Sequence, residues 1–382
     1  MDFTVSTWSR SVFLKHTSAG MCHFSLHGDD GLGFSTCANL LAELKLMLEK
    51  VWPGLKWHTT YNSPMGFRAH HDSTNRTLKI TAPKHIANIA RYVENDERLT
   101  PASPYLESMK LLEPEPPTVE GTPEHAAMLD RLTWIREVGG HFVHISKVRG
   151  EIVEVYNLVS RHGSSRPTAL HVRCFKHVIF YLLHTPDVGP IFGGKKDCVM
   201  SDLEWSSVPG ELFPDTMRPL QFYGVCDGNH SNVDRSTSGI ALMFGGAAIL
   251  MLAFRQHSIS RGPHDSEAFT LSSATACAIP IRGFLTEVGV PQIEPSPIFS
   301  DSASAGKVAE NFGSLKQSFY IARHVKFLQE SECCWMETMT RRIKGTSNPS
   351  NMLTKVVGKS EFLLSRAFFF GEPAPDRGKS AR

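Results

Sequence analysis

The chain has 382 residues, 41% of them hydrophobic and 20% charged, enough for two or three packed domains and too apolar for a disordered chain. A net charge of +2 does not mark the whole surface as a nucleic-acid binder, but it leaves room for a local basic groove. The eight cysteines form no CxxC pair, and the first twenty residues lack the basic and apolar regions of a signal peptide, so reduced thiols in an intracellular protein are expected.

In chain order, residues 21–26 and 32–35 read as two strands around the turn His27-Gly28-Asp29-Asp30-Gly31. A helix follows over 37–51, with Leu40, Leu41, Leu44, Met47 and Leu48 on one face, and Pro53-Gly54 ends it. Strands near 66–70 and 78–80 and a short helix over 81–92 come next. Residues 99–125 are rich in Pro, Glu and Thr and read as a linker or strap. Three helical segments are expected at 128–146, 151–161 and 169–184, then a Gly/Lys/Asp-rich break at 193–197.

The last region opens with a strand at 219–227. The uncharged stretch from Gly239 to Phe254 is shorter than the roughly 20 residues of a bilayer span. Gly245-Gly246 at its middle suits the turn of a buried hairpin. A helix is expected over 265–288, kinked or split by Pro280 and Gly283. A short buried strand at 297–300 ends at Asp301. Helical segments at 303–311 and 319–330, a strand at 334–342, a last helix from about Pro349 and a disordered tail over 371–382 complete the chain.

Asp227, Glu267 and Asp301 fall at strand ends or a helix start, places that a mixed sheet can bring to one edge. Clustered carboxylates repel one another unless cations neutralise them, and hard oxygen ligands suit Mg²⁺ or Mn²⁺. Each acid also has a local explanation. Asp227-Gly228-Asn229 suits a turn, Glu267 the first turn of a helix, and Asp301-Ser302 an N-cap. No HExxH, paired His/Cys spacing or phosphate loop occurs, so the eighteen histidines read as surface or packing residues.

The surrounding residues add to this. YGVCDGNHSNVDRSTSGIALMFGG, HDSEAFTLSSATA, IFSDSASA and NPSNMLTK resemble the ribonuclease H domain of copia-type retrotransposon polyproteins. HFSLHGDDGLGFS resembles the catalytic hairpin of a copia-type reverse transcriptase, with Asp29 and Asp30 as its two aspartates. MGFRAHHDSTNRTLKITAPKHIANIARYV resembles the segment just after it. The helical part, with Val148-Arg149-Gly150-Glu151-Ile152, resembles the connection between polymerase and nuclease. The resemblance spans residues 1–358.

It implies an α/β chain with α+β elements. A ribonuclease H-like mixed five-stranded sheet flanked by helices would follow a partial reverse-transcriptase palm (1–105) and a linker with a helical connection (106–200). The nuclease domain would occupy 201–358 and a tail 359–382. It also implies a ribonuclease H-type endonuclease cutting RNA in RNA–DNA hybrids with Mg²⁺ or Mn²⁺. Asp227, Glu267 and Asp301 would be the metal ligands, and the catalytic set would include Asn351 at the place of the family's fourth carboxylate. An amide offers a carbonyl oxygen without charge, so weakened hydrolysis is expected. The alternative is an inactive retroelement remnant that at most binds nucleic acid. Lys316, Arg323, Lys326, Arg341, Arg342 and Lys344 are candidate phosphate contacts, or simply a solvated face. The implied partners are a hybrid or other nucleic acid and other parts of the polyprotein, with no membrane. Two departures concern the polymerase hairpin. Gly28 replaces an aromatic or aliphatic residue, and too little chain precedes Asp29 to hold the upstream palm aspartate that two-metal polymerisation needs. No polymerase activity is therefore expected.

Overall fold

A computed structural model describes residues 3–58, 64–193, 220–231, 235–302 and 321–373. The first sheet is antiparallel and sequential: β1 (Thr4–Val5), β2 (Val12–Thr17), β3 (Gly20–His27) and β4 (Asp30–Ser35). Helix α1 (Ala38–Val51) buries Leu40, Leu44 and Leu48, one turn apart, against Cys22 and Phe24. The strands around Gly28-Asp29 form as expected, and β2 extends that hairpin into a sheet.

A second sheet joins β5 (Arg68–Asp72), β6 (Thr77–Thr81) and β7 (Ile191–Gly193), with α2 (Pro83–Ile89) following β6. The Pro-rich strap carries one short 3-10 turn, Glu107–Leu111. Three helices follow: α3 (Pro123–Ile145), α4 (Val153–Gly163) and α5 (Ala169–His184). Thr122 caps α3 by accepting the His125 N–H, with Pro123 at the first helical position.

The largest sheet has five strands: β8 (Tyr223–Asn229), β9 (Thr237–Phe244), β10 (Ala247–Arg255), β11 (Ser296–Ser300) and β12 (Thr338–Arg342). Their spatial order is β10-β9-β8-β11-β12, with β8, β9 and β10 antiparallel and β11 parallel to both β8 and β12. The sheet is thus mixed and the chain is α/β. Gly245 and Gly246 make the β9–β10 turn with positive φ, so the apolar stretch from Gly239 to Phe254 is a hairpin within the sheet.

Alternation along the strands sends side chains to two cores. Phe222, Cys226, Ile240, Leu242 and Ile298 face α6 (Pro263–Glu287) and α7 (Ala322–Gln329). Tyr223, Val225, Ala241, Met243 and Phe299 share a core with Phe142, Val155 and Phe175 of α3 to α5. Phe362, Phe369 and Phe370 of α8 (Lys359–Phe370) belong to that second core, so the region grouped with the tail begins as a packed helix. The helical segment and the sheet are therefore joined by one apolar interior. A buried polar tie strengthens the joint, where the Tyr105 hydroxyl donates to the Met352 carbonyl.

Several local expectations change. Helix α6 runs unbroken through Pro280 and Gly283, with Leu271, Ala274, Ala278 and Leu285 buried along it, and Trp8 packs at Gly283. It is the one helix among the described residues long and apolar enough to cross a membrane. However, 56% of its most apolar stretch is buried inside the fold, as in a core helix. Strand β8 continues through Asp227-Gly228-Asn229, which is therefore not a turn. The strand expected from 334 starts at Thr338, because residues 330–334 form a π turn. The stretch after Pro349 is a 3-10 turn, Pro349–Leu353, and the final helix starts only at Lys359. The helix expected at 303–311 and most of the tail, from 374 onward, lie outside the described residues.

Candidate metal centre

Asp227, Glu267 and Asp301 each offer a carboxylate oxygen, and these oxygens all lie within 4.8 Å of one another. Strand register accounts for two of them. Phe299 stands opposite Val225 in the parallel β8–β11 pair, so Asp301, two residues on, falls level with Asp227. The third comes from α6, which begins at Pro263 and puts Glu267 in its second turn, one turn further in than expected. Gly228 permits this approach, since a Cβ there would sit 2.8 Å from the Ser266 carbonyl oxygen. The Gly228 N–H then donates to Glu267 Oε2 at 3.2 Å.

A buried polar knot holds that end of α6 to the sheet. Gln256 is fully buried, and its Nε2 donates to Ser238 Oγ, the Ser266 carbonyl and Ser266 Oγ at 2.9–3.0 Å. Ser238 and Thr270 hydroxyls meet at 2.7 Å. Nothing in the local pattern around Gln256 marks it out, because its partners come from β9 and α6.

The electrostatics follow from crowding like charges in a partly dry site. Burial, then Asp227 and Asp301, push the Glu267 carboxyl up to about 9. Asp301 is also raised, by burial and then by Asp227, while Lys355 and a hydrogen bond with Asn348 pull it back. Behind the acids, Cys226 is raised well above the usual thiol range by burial and by all three carboxylates, so it is an inert thiol. A countercharge is supplied by Lys355, whose Nζ lies 3.5 Å from Asp227 Oδ2. The Thr354 hydroxyl donates to the same oxygen. Lys355 and Thr354 were visible in the NPSNMLTK stretch, but their contact with Asp227 depends on the 3-10 turn folding onto β9. Gly239 leaves room for that turn, since a Cβ there would sit 2.6 Å from Leu353 Cβ. Three hard carboxylates crowded within 4.8 Å repel one another, and an oxygen-seeking divalent cation would relieve that repulsion.

Asn351 is 6% exposed. Its Nδ2 donates to the Gly345 carbonyl at 2.9 Å and to Glu361 Oε1 at 3.3 Å, while its buried Oδ1 has no hydrogen-bond partner among the described residues. Gly345 in turn sits against Asp301, because a Cβ at Gly345 would lie 2.8 Å from Asp301 Oδ2. The amide nitrogen of Asn351 is thus tied to Gly345, the residue beside Asp301.

The other sequence candidates scatter. Asp29 and Asp30 lie at the β3–β4 turn, where Asp30 Oδ2 accepts the Met65 N–H at 3.3 Å, and they join no cluster of three metal-ligating groups among the described residues. Arg341 and Arg342 stand beside Phe299 and Ser300 at the end of β12, so they and the exposed Lys344 lie at the sheet edge that carries Asp301. Arg323 and Lys326 are exposed on α7, and Lys326 lies 4.0 Å from Glu330. Lys316 lies outside the described residues.

An α/β chain with a carboxylate triad at one edge of a mixed sheet is the class these features define. No protein-family model matches the chain. It is similar to the retrovirus-related Pol polyprotein from transposon TNT 1-94 of Nicotiana tabacum, with 23% identity over 350 residues. That alignment covers 89% of this chain and 24% of the polyprotein, so the chain spans about a quarter of the length of its relative. The similarity supports a retroelement-derived protein.

Proposed function

We propose that the chain corresponds to the C-terminal part of a copia-type polyprotein, with the end of a reverse transcriptase, a connection and a ribonuclease H-like domain. Its activity would be hydrolysis of RNA in RNA–DNA hybrids. The observation that carries this reading is the convergence of Asp227, Glu267 and Asp301 within 4.8 Å. The strand order, three antiparallel strands continued by two parallel ones, suits that fold.

Asp227, Glu267 and Asp301 would hold Mg²⁺ or Mn²⁺. When bound, the metal supplies a Lewis acid that activates water and stabilises the leaving oxygen. The chain's own residues position and shield. Thr354 and Lys355 orient Asp227, the Gly228 N–H fixes Glu267, and the Gln256 knot keeps α6 at the right height. Arg341, Arg342 and Lys344 would contact phosphates, and a hybrid would be read through backbone and 2′-hydroxyl groups without base contacts. The setting is intracellular, with a nucleic acid and other polyprotein segments as partners. No polymerase activity is assigned to Asp29 and Asp30.

Asn351 favours a second reading, an inactive remnant that at most binds nucleic acid. Its amide adds no charge to the site and is tied to Gly345 and Glu361. One assay separates the two: cleavage of a labelled RNA–DNA hybrid in Mg²⁺ or Mn²⁺ by the wild type, Asp301→Asn and Asn351→Asp. The expected outcome is slow cleavage by the wild type, a loss on the order of a hundredfold in Asp301→Asn, and faster cleavage by Asn351→Asp. Activity untouched by Asp301→Asn would overturn the assigned site. Binding without cleavage in the wild type and in Asn351→Asp would establish the remnant.

A further inference from the structure

We infer that His16 and His23 form a second metal site, a bidentate imidazole pair for a borderline divalent ion such as Zn²⁺, Ni²⁺ or Cu²⁺. It is separate from the carboxylate centre and independent of the nuclease reading. The two histidines lie on neighbouring strands of the first sheet. Leu14 pairs with His23 and His16 with Met21 across β2 and β3, so His16 and His23 are diagonal neighbours on one face. That face is the one opposite Phe13, Cys22 and Phe24, which turn into the core under α1.

The geometry is that of a chelate. The two Nε2 atoms are 3.2 Å apart, with the rings tilted by 34° and their centroids 5.4 Å apart. Two imidazole nitrogens bound at about 2.0–2.1 Å to one ion are separated by about 2.9 Å at a right-angled geometry and about 3.3 Å at a tetrahedral one. The observed spacing falls between these limits. Without an ion, one Nε2–H must donate to the other Nε2. An ion takes the place of that proton, which passes through water to Nδ1 of the same ring. One Nε2–H bond breaks, one Nδ1–H bond forms, and both rings stay neutral.

Two further features suit a ligand role. His16 is exposed and His23 half-buried, so an ion can enter from solvent and water can fill the remaining coordination positions. Burial, then the neighbouring His16, lower the His23 imidazole below its ordinary value, which keeps a neutral ring available to a cation. Another close histidine pair, His85 and His144, does not share this geometry. Those rings stack face to face at 6.0 Å, and His85 Nε2 is engaged by the Met65 carbonyl. Imidazole nitrogen prefers zinc, nickel and copper over magnesium. The chain would thus carry two sites of opposite preference, hard oxygen at the triad and imidazole nitrogen on the palm-like sheet.

The test is a ZnCl₂ titration of the full chain at pH 7.5, in the Asp301→Asn background so that the triad does not compete. Ring protons of His16 and His23 are followed by NMR, with MgCl₂ as the control. The expected result is one Zn²⁺ per chain, with both rings responding together. His16→Gln or His23→Gln alone should weaken binding by roughly tenfold or more, and millimolar Mg²⁺ should not displace the ion. His16 is exposed, and His23 shares its half-buried face with Leu14 and Met21, so unchanged circular dichroism verifies that each variant folds. The proposal is overturned if the two rings do not shift together, if either single variant binds Zn²⁺ as tightly as its parent, or if Mg²⁺ competes.

Discussion

Glu267→Gln separates the electrostatic cost of the acid cluster from its use. The Glu267 carboxyl is pushed up to about 9 from an ordinary 4.5, first by burial and then by Asp227 and Asp301. At pH 7 in EDTA the folded chain therefore keeps this proton, while the unfolded chain has lost it. Holding the proton over that interval costs about 1.4 kcal/mol per pH unit, about 3 kcal/mol in all. Glu267 retains some solvent access, so screening reduces this to about 2 kcal/mol. A raised folded-state value means that the group's stabilising contribution is full below about pH 4.5 and is lost as pH climbs toward 9. Glutamine has no proton to hold, and its amide oxygen still accepts the Gly228 N–H. Urea unfolding in EDTA should show Glu267→Gln more stable than wild type by about 2 kcal/mol at pH 7, by more at pH 8, and no different at pH 4. Saturating Mn²⁺ should reverse the order, because a ligand at a hundred times its Kd adds about 2.7 kcal/mol to the form that binds it. Equal stability in EDTA at pH 8, or an equal gain from Mn²⁺ in both proteins, would refute the reasoning.

Three more perturbations probe how the site is held. Glu154 is fully buried on α4 with Oε1 unpaired among the described residues, and burial pushes it up to about 8, so Glu154→Gln should raise stability by up to about 3 kcal/mol at pH 7. Its effect should shrink to nothing below pH 4.5, measured by the same urea titrations. Arg149 and Glu151 form a fully buried ion pair at 2.6 Å, with Arg149 also donating to Thr185. Arg149→Met strands the Glu151 charge and should cost about 3–5 kcal/mol, and adding Glu151→Leu should recover much of that loss. Gly228→Ala drives a methyl against the Ser266 carbonyl, so it should cost about 1–3 kcal/mol. It should also abolish the gain in stability from Mn²⁺, read by thermal unfolding.

Local pattern carried a large part of this structure. The 3.6-residue apolar stripe of α1, the helices α3 to α5 and the Gly245-Gly246 hairpin all follow from short-range periodicity and turn chemistry, and they fold where the pattern puts them. The three acids were singled out in the sequence by their flanking residues, and they come together in the fold. Asn351 was singled out in the same way.

Where local signals competed with packing, packing won. Pro280 should break a helix, yet Ala274, Ala278 and Leu285 are buried on both sides of it and α6 continues. Asp227-Gly228-Asn229 should turn, yet pairing with Gly239, Ser238 and Thr237 keeps it in β8. The sequence by itself determined which residues are acidic, where helices and hairpins nucleate, and which known polyproteins the chain resembles. Only the tertiary structure decided that Lys355 and Thr354 lean on Asp227, that Asn351 is tied to Gly345, that the helical segment shares a core with the sheet, and that His16 meets His23. Each of those depends on strand register or on the docking of distant segments, and a one-residue slip in register would turn every side chain to the other face.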